Sequence, residues 1–187
     1  MDTAWFSSEL AAHWPIWFVT GVLIVAAVID GMILKVPNWL TFPFILSGWW
    51  YGFEVAGWSG LGYSVLGTLV GFALLLVLRA VGGMGMGDVK LLGGIGAWVG
   101  TTNVLYAYVA TVIVGAIMAL VMMATSGRWQ DHLRMMKQIM LEWITIRNPD
   151  RLAAIARERK PQMKLLPYGI PMAIGSILYF AWAGMLV

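Results

Sequence analysis

Two aspartates stand where an apolar sequence rarely keeps a carboxylate. Asp30 follows the run VLIVAAVI without a break, and Asp88 ends the glycine-rich stretch GMGMGD. A carboxylate at bilayer depth costs about 3 kcal/mol on insertion scales, so such a residue usually faces a protein interior or a wet cavity and serves a function. Two carboxyl groups brought together there would share a proton, one acting as a base toward water and the other as an acid. The pair indicates hydrolysis of the aspartic-protease kind, with pKa values that belong to the pair.

The same two residues admit other interpretations. Asp30 and Asp88 could relay protons or ions, because ionisable groups within membrane segments often do so. They could also be structural. Asp88 suits the N-cap of the following helix, with the glycines as a turn, and Asp30 could pair with Lys35 or reach lipid headgroups. Composition and spacing alone leave the catalytic pair, the relay and the structural role open.

The elements that must position these aspartates are membrane helices. The chain has 187 residues, of which 60% are hydrophobic and 11% charged, and its mean hydropathy is +0.81. These values exclude an ordinary water-soluble domain. Most of its apolar stretches reach the ~20 residues that cross a hydrocarbon core. The six stretches are roughly 15–34, 39–56, 61–81, 89–100, 104–125 and 165–187. They predict an all-α membrane protein, a single domain over residues 1–187 built as a bundle of six transmembrane helices.

Charge predicts the orientation of this bundle. All 12 Lys and Arg residues can be placed on one side: Lys35, Arg79, Lys90 and nine more between residues 128 and 164. By the positive-inside rule that side is cytoplasmic, and both termini are outside. The first span then runs inward and the fourth outward, so both aspartates meet the cytoplasmic leaflet. The short fourth stretch must be a true span, because a re-entrant loop there would move the basic block to the opposite side. The first run follows Asp2 and Glu9 and no basic residue, so we expect it to be a retained span and not a signal peptide.

A polar insert of about residues 126–164 separates the fifth and sixth stretches. Its apolar residues recur at helical spacing and its charged residues lie off that stripe, which predicts an amphipathic helical insert on the cytoplasmic leaflet. A solvated connector is the alternative. The stripe consists of Trp129, Leu133, Met136, Met140 and Trp143.

Other compositional signals are weak or point to packing. The chain has no cysteine and two histidines, so neither a metal site nor another cofactor is predicted. Its basic charge is explained by membrane orientation, and no nucleic-acid partner is predicted. Two small-residue spacings, Gly67 with Gly71 and Gly96 with Gly100, predict close helix packing.

Three motifs resemble one known family. Gly85-Met86-Gly87-Asp88 followed by Lys90 resembles the GxGD motif of the type IV prepilin peptidase family of membrane aspartic proteases. IDGMILKVPNWLTFP, residues 29–43, is similar to the family's first aspartate and the Pro-Asn pair that follows it. LPYGIPMAIG, residues 166–175, resembles the Pro-aromatic-Gly-x-Pro start of the family's last span. The three motifs occur in family order and on the expected leaflet.

The resemblance implies roles for the motif residues. Asp30 and Asp88 would be the catalytic pair of an endopeptidase that removes the basic leader from prepilin-like proteins at the cytoplasmic face of the bacterial inner membrane. Gly85 and Gly87 would let the backbone pass close to that pair or to substrate, and Lys90 would make a headgroup, structural or catalytic contact. The remaining motif residues would support helix starts and the substrate cleft: Pro37, Asn38, Pro167, Tyr168, Gly169 and Pro171.

The sequence also departs from the larger members of that family. Those members carry an additional N-terminal region with paired cysteines and N-methylate the new amine, whereas this chain has no cysteine and no visible S-adenosylmethionine site. It resembles the short, peptidase-only members of tight-adherence (Flp-type) pilus systems, and N-methyltransferase activity is not expected. The implied partners are a prepilin-like substrate, the lipid bilayer and, through the insert, a pilus or secretion partner. A proton-coupled small transporter or channel and a non-catalytic assembly subunit of a pilus or secretion apparatus are the alternative functions.

Overall fold

The protein is described by a computed structural model in which every regular element of the described residues is a helix. The description covers residues 3–80, 85–125 and 167–186, with six single positions between them: Lys137, Gln138, Leu141, Glu142, Thr145 and Ile155. The helices are α1 (Thr3–Ile33), α2 (Asn38–Ala80), α3 (Met86–Thr125) and α4 (Gly169–Trp182). The first three are long and apolar enough to cross a membrane, and α4 is a shorter apolar helix. The predicted all-α class is confirmed.

Helix α2 folds back on itself at its midpoint. Ala56 and Gly57 leave the helical conformation, and Gly57 adopts a φ of +60°, which favours glycine. Trp49 Nε1 then donates a hydrogen bond of 2.9 Å to Thr68 Oγ1, although these residues would be about 28 Å apart in a continuous helix. We call residues 38–55 and 58–80 the first and second limbs of α2. The break falls at the predicted boundary between the second and third apolar stretches.

Helix α3 turns in the same way at Gly100, whose φ is +77°. Tyr168 lies within electrostatic range of Asp88 before the turn and of Tyr108 after it. A continuous helix would separate those two residues by about 30 Å. We call residues 86–99 and 101–125 the first and second limbs of α3. This break coincides with the predicted boundary between the fourth and fifth stretches.

The limbs pack closely where the sequence has paired small residues. A Cβ added to Gly67 on α2 would collide with the carbonyl oxygen of Gly96 on α3, and one added to Gly96 would collide with the carbonyl of Gly67. A Cβ on Gly71 would lie 2.6 Å from the carbonyl oxygen of Leu92. The predicted packing role of these glycines is confirmed, and it fixes the first limb of α3 against the second limb of α2.

Helices α1 and α4 run antiparallel and complete the bundle. His13 Nδ1 lies 3.0 Å from the carbonyl oxygen of Met185 at one end, and Asp30 bonds to Gly169 at the other. Helix α1 begins at Thr3, well before the predicted start at residue 15, because helix-forming residues extend it beyond the apolar run. Tyr179 Oη donates 2.8 Å to Asn103 Oδ1 and joins α4 to the second limb of α3.

The exterior of the bundle is apolar. Large hydrophobic side chains are strongly exposed, including Met32, Trp58 and Trp182, whereas Thr41, Thr111 and Ser176 are fully buried. This distribution suits lipid as the surrounding solvent. Of the predicted 126–164 insert, only the six single positions named above are described, and all are helical; the predicted amphipathic stripe lies outside the described residues.

Candidate active site

Asp30 lies in the last turn of α1 and is 3% exposed. Its Oδ2 accepts a hydrogen bond of 2.7 Å from the backbone N–H of Gly169. Gly169 is the first residue of α4, where backbone N–H groups have no partner within the helix and the helix dipole favours negative charge. The start of the last helix therefore provides a donor for the Asp30 carboxylate.

Glycine is required at position 169 because the two elements approach so closely. A Cβ added there would lie 2.9 Å from Asp30 Cβ and 3.0 Å from its Oδ2, closer than real Cβ contacts. The bond joins residues 139 positions apart in sequence. Sequence reasoning assigned Gly169 to the start of the last span and missed its contact with Asp30.

Asp88 lies in the first turn of α3 and is 7% exposed. Its Oδ2 accepts a hydrogen bond of 3.2 Å from the backbone N–H of Gly85. Because α3 begins at Met86, the N-cap position falls on Gly85, and Asp88 at the third helical position bonds back to it as the acidic residue of a capping box does. The interpretation of Asp88 as the N-cap itself is therefore wrong by three residues.

Gly87 brings α3 against the segment that follows α1. A Cβ added at Gly87 would lie 2.5 Å from the carbonyl oxygen of Val36 and 3.0 Å from its Cβ. Val36 is buried, six residues after Asp30. The second glycine of the GxGD motif thus allows the two aspartate-bearing segments to pack together.

The turn at residues 167–169 contacts Asp30 and lies within electrostatic range of Asp88. Gly169 bonds to Asp30, and the adjacent Tyr168 lies within electrostatic range of Asp88. The turn is ordered by the carbonyls of Pro167 and Tyr168, which accept bonds of 3.2 Å from the N–H groups of α4, and Pro171 packs near Gly115. All three motifs found in the sequence therefore meet at one end of the bundle.

Lys90 joins α2 to α3 beside this site. Its Nζ donates a hydrogen bond of 2.9 Å to Asn38 Oδ1 and lies 4.3 Å from the centre of the Phe42 ring. The sequence left a headgroup, a structural and a catalytic contact open for Lys90, and the contacts with Asn38 and Phe42 are structural ones. Pro37 directly precedes α2, and its carbonyl accepts hydrogen bonds from the N–H groups of Leu40 and Thr41, so it lies at the start of that helix as the resemblance implied.

The arrangement can support acid–base chemistry by two carboxyl groups. In residues 3–80, 85–125 and 167–186, no group of three or more His, Asp or Glu residues is placed to hold a metal ion.

The fold and site define an all-α protein with membrane-type helices and two buried carboxyl groups at one end. Residues 17–120 match the type IV leader peptidase family, and this chain belongs to that family.

The chain is also similar to several curated proteins that are named prepilin leader peptidase/N-methyltransferase. The chain is 32% identical over 117 residues to a prepilin leader peptidase/N-methyltransferase of Neisseria gonorrhoeae, covering 59% of this chain and 41% of the relative. It is 31% identical over 109 residues to that of Aeromonas hydrophila, with coverage of 54% and 37%. It is 29% identical over 122 residues to that of Burkholderia pseudomallei, with coverage of 60% and 37%. The matches thus span about two fifths of each relative's length. No solved structure matches the chain.

Proposed function

We propose that this protein is an aspartic endopeptidase that removes the basic leader of prepilin-like proteins at the cytoplasmic face of the bacterial inner membrane. The observation that carries the proposal is that Asp30 and Asp88 are both buried and lie on segments that pack together where Gly87 meets Val36. The family of the chain and the names of its relatives supply the substrate class.

The proposed reaction uses one aspartate as a base and the other as an acid. The ionised carboxylate takes a proton from water, whose oxygen attacks the carbonyl carbon of the scissile peptide bond. The protonated carboxyl group gives its proton to the carbonyl oxygen. When the C–N bond breaks, the protonated carboxyl group gives its proton to the leaving amine and the other carboxylate takes a proton from a hydroxyl group of the tetrahedral intermediate, so the pair again holds a single proton.

The proposed membrane arrangement has six crossings: α1, the two limbs of α2, the two limbs of α3, and α4. The breaks at Ala56–Gly57 and Gly100 and the antiparallel pairing of α1 with α4 support it. Lys35 and Lys90 lie beside the two aspartates in sequence, which favours a cytoplasmic site with both termini outside. The 126–164 insert is then cytoplasmic, where it contacts the bilayer or a pilus or secretion partner.

The test is co-expression with a prepilin from the same genome, followed by leader loss on a gel. The wild type should shorten the prepilin. Asp30→Asn and Asp88→Asn should each lower the cleavage rate by about 100- to 10,000-fold, the range that a positioned acid or base contributes. Asp2→Asn, which makes the same chemical change just before α1 begins, should cleave normally.

Two outcomes would contradict the proposal. If either Asp30→Asn or Asp88→Asn cleaves at a normal rate, the assignment of these two residues as the catalytic pair is wrong. Failure of the wild type on several prepilins would favour a transporter or a non-catalytic assembly subunit. Mass spectrometry of the mature product measures N-methylation independently of leader cleavage. We expect the new N-terminal amine to be unmodified.

A further inference from the structure

The chain leaves α1 through a left-handed residue four positions after Asp30. Leu34 adopts a φ of +52°, and among the described residues it is the only one other than glycine with a positive φ. Its backbone N–H donates a hydrogen bond of 2.8 Å to the carbonyl oxygen of Asp30. This is the αL capping motif, in which the left-handed position is usually glycine. Leucine has a Cβ that crowds the following carbonyl oxygen in this conformation, so the backbone at residue 34 is strained.

The side chain of Leu34 does not explain its left-handed backbone. It is 53% exposed, so packing against the rest of the protein gains little from it. Met32 and Ile33 are equally apolar and exposed, and both are helical. Backbone strain that local packing does not require is typical of functional sites, where the surrounding structure imposes it. The conformation of Leu34 therefore serves the direction that the chain takes beyond it.

That direction leads onto the GxGD segment. Residues 35–37 are not helical, and Val36, two positions after Leu34, is buried. A Cβ added to Gly87 would lie 2.5, 3.0 and 3.1 Å from the O, Cβ and N atoms of Val36. Gly87 is thus packed over the backbone of Val36, and Asp88 is the next residue in the chain. A shift of Val36 must be accompanied by a shift of Asp88 or by loss of this contact.

Asp30 is held independently of this segment. Its Oδ2 accepts the 2.7 Å hydrogen bond from the N–H of Gly169, so its carboxyl group stays with the start of α4 when the chain beyond Leu34 moves. A change of φ at Leu34 from +52° to the −60° of ordinary residues would rotate the chain beyond it by about 110°. Such a rotation would carry Val36 away from Gly87 and so separate the two aspartates.

We infer that Leu34 is a positioning residue for the proposed peptidase: its left-handed backbone sets the separation of Asp30 and Asp88. The leucine side chain is dispensable, and the backbone angle is what matters. This inference rests on the proposed function, because the separation of the aspartates is measured through leader cleavage.

The test is a series of substitutions at residue 34 that separates backbone conformation from side-chain chemistry. Glycine and asparagine adopt the left-handed conformation readily, alanine adopts it at a cost similar to that of leucine, and β-branched residues resist it most. Leu34→Gly, Leu34→Asn and Leu34→Ala should cleave a prepilin within about threefold of the wild-type rate, whereas Leu34→Val and Leu34→Ile should lose about 100-fold, as a displacement of about 1 Å does. Polar asparagine should therefore be tolerated better than isoleucine, the isomer of leucine.

The pH dependence of cleavage distinguishes a displaced carboxyl pair from a partly unfolded protein. Two carboxyl groups that share a proton have apparent pKa values that are pushed apart, which gives a bell-shaped profile. When the carboxyl groups separate, these values approach each other and the bell narrows, as we expect for Leu34→Val. A smaller folded fraction lowers the bell without changing its width. The other titratable groups that adjoin the pair in the described residues are the same in every variant: Tyr168, Lys35 and Lys90.

Met32→Val is the matched control, because Met32 is exposed and helical, two positions before Leu34. It should keep the wild-type rate and profile. A normal rate or an unchanged bell width in Leu34→Val would overturn the inference alone. So would equal losses in Leu34→Gly, Leu34→Asn and Leu34→Val, which would assign the role to the side chain. Failure of the wild type to cleave any prepilin would contradict the proposed function, and this inference with it.

Discussion

At the residue scale, the contact between Gly169 and Asp30 makes the sharpest prediction. Gly169→Ala places a Cβ 2.9 Å from Asp30 Cβ and must displace the carboxyl group or the start of α4. A displacement of about 1 Å in a catalytic group can lower a rate by about 100-fold. We expect a loss of that size in the rate of leader cleavage, measured in membranes that hold equal amounts of enzyme.

Gly31→Ala is the matched control for that change. Position 31 is adjacent to Asp30, but a Cβ there would only touch Ile170 Cδ1 at 3.5 Å, an ordinary contact. This variant should cleave at close to the wild-type rate. Normal cleavage by Gly169→Ala would mean that the position of Asp30 does not depend on α4.

The residues of this site differ in how far the sequence could reveal them. Asp30 and Asp88 are identifiable because a carboxylate next to an apolar run is unusual. The N–H of Gly169 is a backbone group that nearly every residue type carries, so the sequence gives no sign of its role. It bonds to a residue 139 positions away in the sequence. The contact of Lys90 with Asn38 also depends on how α2 and α3 meet, and the sequence left three kinds of contact open for this lysine.

At the element scale, Lys90 and Asn38 tie the start of α3 to the start of α2. Lys90→Met and Asn38→Ala each remove the 2.9 Å hydrogen bond, and the first also removes the cation over Phe42. We expect each to lower the free energy of unfolding by about 0.5–1.5 kcal/mol. The double variant should lose less than the sum, because both changes remove the same bond. Denaturant unfolding followed by tryptophan fluorescence measures this; strict additivity would show that the two residues are not coupled.

The small-residue contact between α2 and α3 gives a second prediction at this scale. Gly67→Ala puts a Cβ into the carbonyl of Gly96 and must separate the two limbs, whereas Gly62→Ala on the same limb meets nothing within 4 Å. The first should destabilise the protein by about 1–3 kcal/mol, as overpacking does. The second should be neutral or stabilise it by up to about 1 kcal/mol through helix propensity. Thermal unfolding in detergent compares them, and equal midpoints would contradict close packing at Gly67.

The elements were largely predictable because apolar stretches and turns leave a strong signal in membrane sequences. The boundaries near residues 56 and 100 match the breaks within α2 and α3. The sequence did not predict that each pair of stretches would be joined with almost no loop. Gly57 and Gly100 reverse the chain within one or two residues by adopting positive φ, and hydropathy carries no information about that angle. The start of α1 was also missed, since helix can extend past an apolar run.

At the scale of the whole molecule, the charges and the fold predict how the protein sits in the membrane. Lys35 lies just after α1, near the aspartates, and Glu54 lies just before the α2 turn at Ala56–Gly57. Both side chains are exposed. If the aspartate end is cytoplasmic, these two positions face opposite sides of the inner membrane.

Single thiols test that orientation, because the chain has no cysteine of its own. In intact cells a membrane-impermeant maleimide should label Glu54→Cys and leave Lys35→Cys unlabelled. After the membranes are opened, both should react, which shows that each thiol is accessible. The unsubstituted protein sets the background. Labelling of Lys35→Cys alone in intact cells would invert the topology and place the aspartates on the outer side, where a cytoplasmic leader could not reach them. Labelling of both thiols in intact cells would mean that α2 does not carry the chain across the membrane between residues 35 and 54.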